Sequence, residues 1–335
     1  MPRHRALSLI TALLLASPVG AGPSMPEGTA GLPLWLTAKD ENPLLRGLYL
    51  PMPADARQDD APRWQASLAA ENTVDIESRD GERLHVDGEA LLLRLSWDAP
   101  LRGRWRGRIS VPLVRDSGGS LDSIIDRWHG WFGLPRGQRP FVAHDQFEYR
   151  YQGRQQVSLT RSHEGLGDVA AEAGWYWRQD ARSSVALWAG LEAPTGSARA
   201  FTGNGAWDAA LWLHADWRAG RWRLGAEVGL LRPFGDELFG GQARRLSAFG
   251  RTAVAWAVSS RWQLQAQLEA QSARLHDTGI RFLGPAAIGS LGLSHRLARR
   301  WVVQLGFSED IAVNTAPDVT FLLSLRRDAV ARSAH

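Results

Sequence analysis

The sequence predicts an all-β fold: a transmembrane, antiparallel, up-and-down β-barrel of about 12 strands, with one short helix in a long outer loop. Three observations predict it. From residue 63 onward apolar and polar residues alternate with period 2. Most alternating runs are 11 to 13 residues long; strands of soluble domains are about half that, whereas a tilted strand needs ~9–11 residues to cross a bilayer. Connections alternate between short and long, as tight periplasmic turns and longer outer loops do in bacterial outer-membrane barrels.

The chain of 335 residues opens with "MPRHRALSLITALLLASPVGAGP". Arg3 and Arg5 form a basic head, Ala6 to Ala16 an apolar run, and Val19-Gly20-Ala21 a small-residue cleavage site. This reads as a secretory signal peptide, residues 1–21, because the apolar run is too short to span a membrane. Residues 22–62 contain Pro23, Pro26, Pro33, Pro43, Pro51 and Pro53 and no alternation. They read as an extended periplasmic segment; whether it enters the barrel mouth is left open.

The barrel, residues 63–326, is expected to place strands at 63–74, 84–98, 103–114, 168–178, 183–193, 206–218, 221–232, 246–258, 261–273, 287–296, 301–312 and 318–326. The cleanest is "RWQLQAQLEAQSAR", in which Trp262, Leu264, Ala266 and Leu268 alternate with Gln263, Gln265, Gln267 and Glu269. Short connections ("APLRG", "RQDAR", "AG", "SS", "LAR") alternate with the longer 75–83, 115–167, 194–205, 233–245 and 274–286, and with the brief 313–317. An even strand number returns both termini to one side. Residues 327–335 read as a tail, and no terminal aromatic follows the closing strand.

Five strands open on the pair Arg-Trp, at Trp64, Trp105, Trp222, Trp262 and Trp301, always on the short-turn side. Tryptophan prefers the boundary between headgroups and acyl chains, and arginine the aqueous layer beside it. With Trp97, Trp177 and Trp217 descending to the same level, the eight form an aromatic girdle. The outward face is otherwise rich in alanine and glycine, since lipid tails conform to any surface. Closure matters more, because an open edge in hydrocarbon leaves backbone groups unpaired at several kcal/mol each.

Composition excludes other classes. Subtracting Arg3 and Arg5 from a net charge of +4 leaves +2, and Lys39 is the only lysine. Arginines are interspersed with acids, so no basic block tracks a phosphate backbone, and nucleic acid is not an expected partner. The lack of cysteine excludes a disulfide framework and a lipoprotein anchor. No cofactor is expected.

Within 115–167, a helix near 120–132 is expected after Gly118-Gly119, with Ser120 as N-cap and Leu121, Ile124, Ile125, Trp128 and Phe132 on one face. It is either an inward constriction or leaflet anchor, or a helix that only packs its own loop. "QFEYRY" suggests a hairpin beyond it. Asp122, Asp126 and His129 share a helix side and could hold a divalent metal, but read more simply as a solvated face. Ser162, His163 and Glu164 are hydrolase residue types, yet neighbours in a strand face opposite ways and no G-x-S-x-G elbow is present. Neither metal nor catalytic residues are therefore assigned.

Lumen-facing positions are Arg104, Arg106, Arg108, Asp168, Glu172, Glu192, Asp208, His214, Asp216, Arg223, Glu227, Arg251, Glu269 and Gln304. The three arginines form a ladder. Eight strands leave room only for side chains and sixteen leave an aqueous channel, so twelve permit a narrow or gated pore, or a filled barrel.

Several stretches resemble a proteobacterial family of outer-membrane proteins carrying a domain-of-unknown-function label: "NPLLRGLYLP" (42–51), "GERLHVDGEALLLRLSW" (81–97), "VPLVRDSGGSLDSIIDRWHGWFGLPRGQRP" (111–140), "GLGDV" (165–169), "GLEAPTG" (190–196) and "APDVTF" (316–321). The 111–140 block is the most specific. The resemblance implies location and architecture and brings no catalytic residues. The expected role is a channel or passive uptake pore for small polar or charged solutes in the outer membrane of a Gram-negative bacterium. The expected contacts are outer-membrane lipids and lipopolysaccharide, with the barrel-assembly machinery acting during biogenesis. The alternatives are a surface-interaction barrel binding a partner or lipopolysaccharide through 115–167, and an outer-membrane lipid hydrolase.

Overall fold

The computed structural model describes residues 31–329 apart from 55–60, 122, 124–126, 128–129, 132–143 and 313. Among the described residues fifteen strands form one antiparallel sheet. Its wall is built of twelve: β1 (Arg63–Arg79), β2 (Glu82–Pro100), β3 (Trp105–Ser117), β7 (Val169–Gln179), β8 (Ser183–Ala193), β9 (Asp208–Ala219), β10 (Trp222–Pro233), β11 (Ser247–Ala257), β12 (Trp262–Gln271), β13 (Ala286–Ala298), β14 (Trp301–Asp310) and β15 (Val319–Asp328). The ladder closes on itself where β1 meets β15, from Arg63↔Asp328 to Asn72↔Val319. Closure satisfies every wall strand on both sides, which hydrocarbon demands.

Three shorter strands elaborate one region. β6 (His163–Leu166) faces β3 at Leu113–Asp116, and β7 faces β3 at Trp105–Ser110. Together β6 and β7 make one stave, interrupted at Gly167–Asp168. The hairpin of β4 (Glu148–Gln152) and β5 (Gln156–Leu159) includes most of "QFEYRY" and adds to the outer part of β2 at Arg83–Asp87.

Two boundaries differ from expectation. Residues 75–83 are not an open loop: β1 and β2 run on and join through Asp80-Gly81, whose φ values of 52° and 85° suit a two-residue hairpin turn. Gly81 adopts that conformation without steric cost. At the other end, β15 continues two residues beyond 326, into the expected tail. In the 115–167 excursion Ser123, Arg127, Gly130 and Trp131 have helical backbone and Leu121 does not. Asp122, Ile124, Ile125, Asp126, Trp128, His129 and Phe132 lie outside the described residues, as does the expected signal peptide.

The exterior is apolar and carries a belt at the short-turn end. Trp64, Trp97, Trp105, Trp177, Trp217, Trp222, Trp262 and Trp301 are all exposed. Several pair across strands at one level: Trp64 lies opposite Trp97 with centroids 6.2 Å apart, and Trp222 stacks on Trp256 at 6.0 Å. A second rim, which sequence reasoning missed, lies at the long-loop end in exposed Trp207, Phe234, Leu246 and Ile311. From Trp207 to Trp217 is ten residues, roughly 33 Å of strand and about 25 Å of height at a 40° tilt. That matches the apolar band of an outer-membrane barrel.

Candidate functional site: the filled bore

The bore is occupied by the chain's own N-terminal segment. Residues 32–36, 38–42, 44–46, 48–50 and 54 are buried, and they lie among the inward-facing residues of the wall. The stretch that sequence reasoning left as a periplasmic lead therefore forms, over its described residues 31–54, a plug inside the barrel.

The plug rises and returns as a U. At the short-turn end the carbonyl of Gly31 accepts from Arg326 and that of Leu32 from Arg223. Rising past β12 and β14, the carbonyls of Pro33, Trp35 and Ala38 accept from Gln263 (2.6 Å), Gln304 (2.9 Å) and Gln267 (3.0 Å). The Asp40 N–H then donates to Glu269 at 2.8 Å. Residues 42–48 turn at the long-loop end, where Leu45 and Arg46 donate to the Asn42 carbonyl. Descending, the Leu48 carbonyl accepts from Arg274 and the Pro51 carbonyl from Arg251, and those of Met52 and Pro53 accept from Arg108. Finally Ala54 donates to Glu227, and the Ala61 carbonyl accepts from Arg106 just before β1 begins.

The chemistry of this arrangement follows from the segment's prolines. Pro33, Pro51 and Pro53 have no N–H to give a ladder, so the segment stays out of the sheet and presents carbonyls. The wall answers with donors that carry no acceptor, the guanidinium of arginine, and with the amide of glutamine. A hydrogen bond to a charged donor contributes about 1.5–3 kcal/mol, against about 1 for a neutral one.

Side chains seat in gaps left by inward-facing glycines. A Cβ at Gly225 would lie 2.6 Å from Leu34 Cδ2, and one at Gly190 would lie 2.4 Å from the Tyr49 hydroxyl oxygen. The top of the U is clamped by a second apolar core. There Leu44, Leu45 and Leu48 pack with Tyr149, Phe201, Phe239 and Phe282 from the outer strands and loops.

Of the sequence-derived lumen set, Arg106, Arg108, Asp168, Glu172, Glu192, Asp208, His214, Asp216, Arg223, Glu227, Arg251, Glu269 and Gln304 are buried. Arg104 is not: it lies past the wall's end, exposed, donating to the Trp177 carbonyl at 3.0 Å. Two charged networks emerge. Arg251 bridges Glu227 (3.0 Å) and Glu269, while His214 Nδ1 lies 2.8 Å from Glu227. Arg108 pairs with Glu172, which also accepts from the Tyr49 hydroxyl at 2.8 Å. Arg94, Asp116 and Arg274, absent from the sequence-derived set, pair with plug residues Glu41, Arg46 and Asp40. Arg94 was legible from its alternation with Leu93 and Leu95; the other two lie near strand ends, where parity gives no depth.

Outside the membrane zone, Asp180 in the turn between β7 and β8 accepts the N–H groups of Arg182 (2.9 Å) and Ser183 (2.8 Å), which hold its carboxyl well below the usual range. His163 and Glu164 are consecutive in β6 and differ in burial, as neighbours on opposite faces of a strand do. Among the described residues no cluster of potential metal ligands occurs.

The fold is similar to that of solved outer-membrane proteins. An outer membrane channel, COG4313, from Pseudomonas putida F1 is 15% identical with a TM-score of 0.57, over 83% of this chain and 99% of that one. The NanC porin (8% identity, TM-score 0.46, 81% and 100% covered) and the P. putida toluene transporter TodX (10%, 0.41, 81% and 91%) are more distant. No curated protein sequence matches the chain. A family model matches residues 34–328, from within the plug to the end of the last strand, and the chain therefore belongs to the family described as "Protein of unknown function (DUF3187)".

Proposed function

We propose that the protein is a gated outer-membrane channel for passive uptake of small polar or charged solutes, closed in this conformation by residues 31–54. One observation carries the reading: the wall ladder closes through β1 and β15 without any plug residue in the sheet. The plug can leave without breaking a strand-to-strand hydrogen bond of the wall ladder, and what it leaves behind is a bore lined with arginine, carboxylate and glutamine. Export through a signal peptide cleaved after Ala21 would deliver the chain to the barrel-assembly machinery, with the Trp belt at the periplasmic face and lipopolysaccharide around the outer rim.

Planar-bilayer recordings of the full chain and of a variant lacking residues 31–54 test this. The full chain is expected to be mostly closed with rare openings, and the deletion to conduct steadily. Absence of conductance from a folded deletion variant would end the reading. A second reading, a surface-interaction barrel, is favoured by Trp131, 76% exposed in the 115–167 excursion. Deleting 119–134 should then abolish binding of lipopolysaccharide or a partner and leave the barrel intact.

A further inference from the structure

The two ends of the barrel differ in charge. At the short-turn end every connection carries an exposed arginine: Arg102, Arg182, Arg221, Arg261 and Arg300 in the five turns, and Arg327 at the seam of β15 and β1. Among the described residues Asp180 is the single exposed acid at this end, and it is paired with Arg178. The long-loop end is mixed, with Asp80, Asp145, Glu164, Glu237 and Asp277 exposed.

The arginines lie at the depth of the tryptophan belt. Arg221, Arg261 and Arg300 each precede a belt residue, Trp222, Trp262 and Trp301, by one position, about 3.4 Å along a strand. Tryptophan marks the boundary between acyl chains and headgroups, so these guanidiniums fall at the headgroup level. Arg327 faces lipid directly. It is outward in the alternation with Leu323 and Leu325, and lies across from Trp64 of β1 and Trp301 of β14. Its guanidinium carbon is 5.7 Å from the centroid of the Trp301 ring, a cation–π distance.

These charges are not met by the protein's own acids. Asp328, beside Arg327, is taken by Arg63 and Arg326. Among the described residues Arg221, Arg261, Arg300 and Arg327 have no ion pair. A guanidinium is always charged, and its fork of donors matches the oxygens of a phosphate in a bidentate contact. An annulus of lipid meets every stave of the cylinder, as these arginines do, whereas a docked protein covers a sector of it.

We propose that this arginine collar binds the phosphate headgroups of anionic phospholipids of the phosphatidylglycerol type in the periplasmic leaflet, and so fixes the depth at which the barrel sits. The inference goes beyond the channel reading: it holds whether or not the bore opens, and it is read without any conductance.

The test is contact quenching of tryptophan in the full-length chain, refolded into phosphatidylcholine vesicles. The vesicles contain the same minor fraction of either brominated phosphatidylglycerol or brominated phosphatidylcholine. Brominated chains quench the belt where they touch it, so the ratio of the two signals gives the relative binding constant. A preference of about fivefold for phosphatidylglycerol is expected, the attraction of about one arginine per lipid site. A ratio near one would overturn the collar.

Two variants of equal charge locate the preference. Arg221→Gln, Arg261→Gln, Arg300→Gln and Arg327→Gln together should bring the ratio most of the way to one. Arg83→Gln, Arg161→Gln, Arg199→Gln and Arg245→Gln, all exposed at the long-loop end, should leave it unchanged. A preference that survives the first set, or falls equally with the second, would overturn its assignment to the short-turn end. Should the first variant fail to fold, the native chain supplies a further readout. Sodium chloride at about 1 M shortens the screening length to about 3 Å and should collapse the preference; one untouched by salt would overturn the ionic contact.

Discussion

Arg251 of β11 reaches the Pro51 carbonyl with Nη2 at 2.7 Å while its other nitrogens hold Glu227 and Glu269. One guanidinium thus ties two neighbouring strands to the descending limb of the plug. All of these groups are buried, so the arrangement depends on the charges compensating each other.

Arg251→Met should therefore lower stability by about 3–5 kcal/mol, since it strands two buried carboxylates as well as freeing the plug. Adding Glu269→Gln should recover part of the loss. Urea unfolding of the refolded protein in lipid vesicles checks both, and purely additive effects would contradict the bridge.

Gly225→Leu acts by volume. Its Cβ alone would lie 2.6 Å from Leu34 and 2.8 Å from Trp35, so the larger side chain and the rising limb cannot both occupy the bore. The overpacking costs about 1–3 kcal/mol, and it falls on the plug, because the wall is held by a continuous ladder. The expected outcome is an intact barrel with a high open probability in bilayer recordings.

Neutralising the arginines of β3 should separate by depth. Arg106→Gln and Arg108→Gln remove charges inside the bore and should shift reversal potentials in a salt gradient toward cations. Arg104→Gln should leave them unchanged, because that side chain lies outside the bore. Equal shifts from all three would contradict this placement.

Phe282→Ala tests the outer clamp. Phe282 is fully buried against the turn of the plug, and Asn42 Nδ2 donates to its carbonyl at 2.7 Å. Truncating a buried phenylalanine costs about 3–5 kcal/mol. Because the lost contacts lie between loops and plug, conductance should rise at temperatures where the barrel itself stays folded.

Much of the wall was legible because a membrane imposes its constraints residue by residue. Trp222 and Arg223 must face opposite ways, and lipid on one side makes the alternation strict. The hairpin at Asp80-Gly81 was missed, although its turn signal was present, because alternation continues past the membrane edge and nothing in it marks where hydrocarbon ends. The same lack of a depth signal put Arg104 in the bore with Arg106.

By itself the sequence determined the closed wall, its girdle, and which side chains of each strand point inward, since all three follow from a period of two and the amphipathic chemistry of tryptophan. Only the tertiary structure decided that residues 31–54 fill the bore. The segment is held largely through its backbone carbonyls, which every residue type possesses alike. A contact made to a main-chain oxygen leaves no mark on side-chain identity, so the plug's place could be found only by seeing which carbonyls Arg251, Arg108 and Gln263 reach.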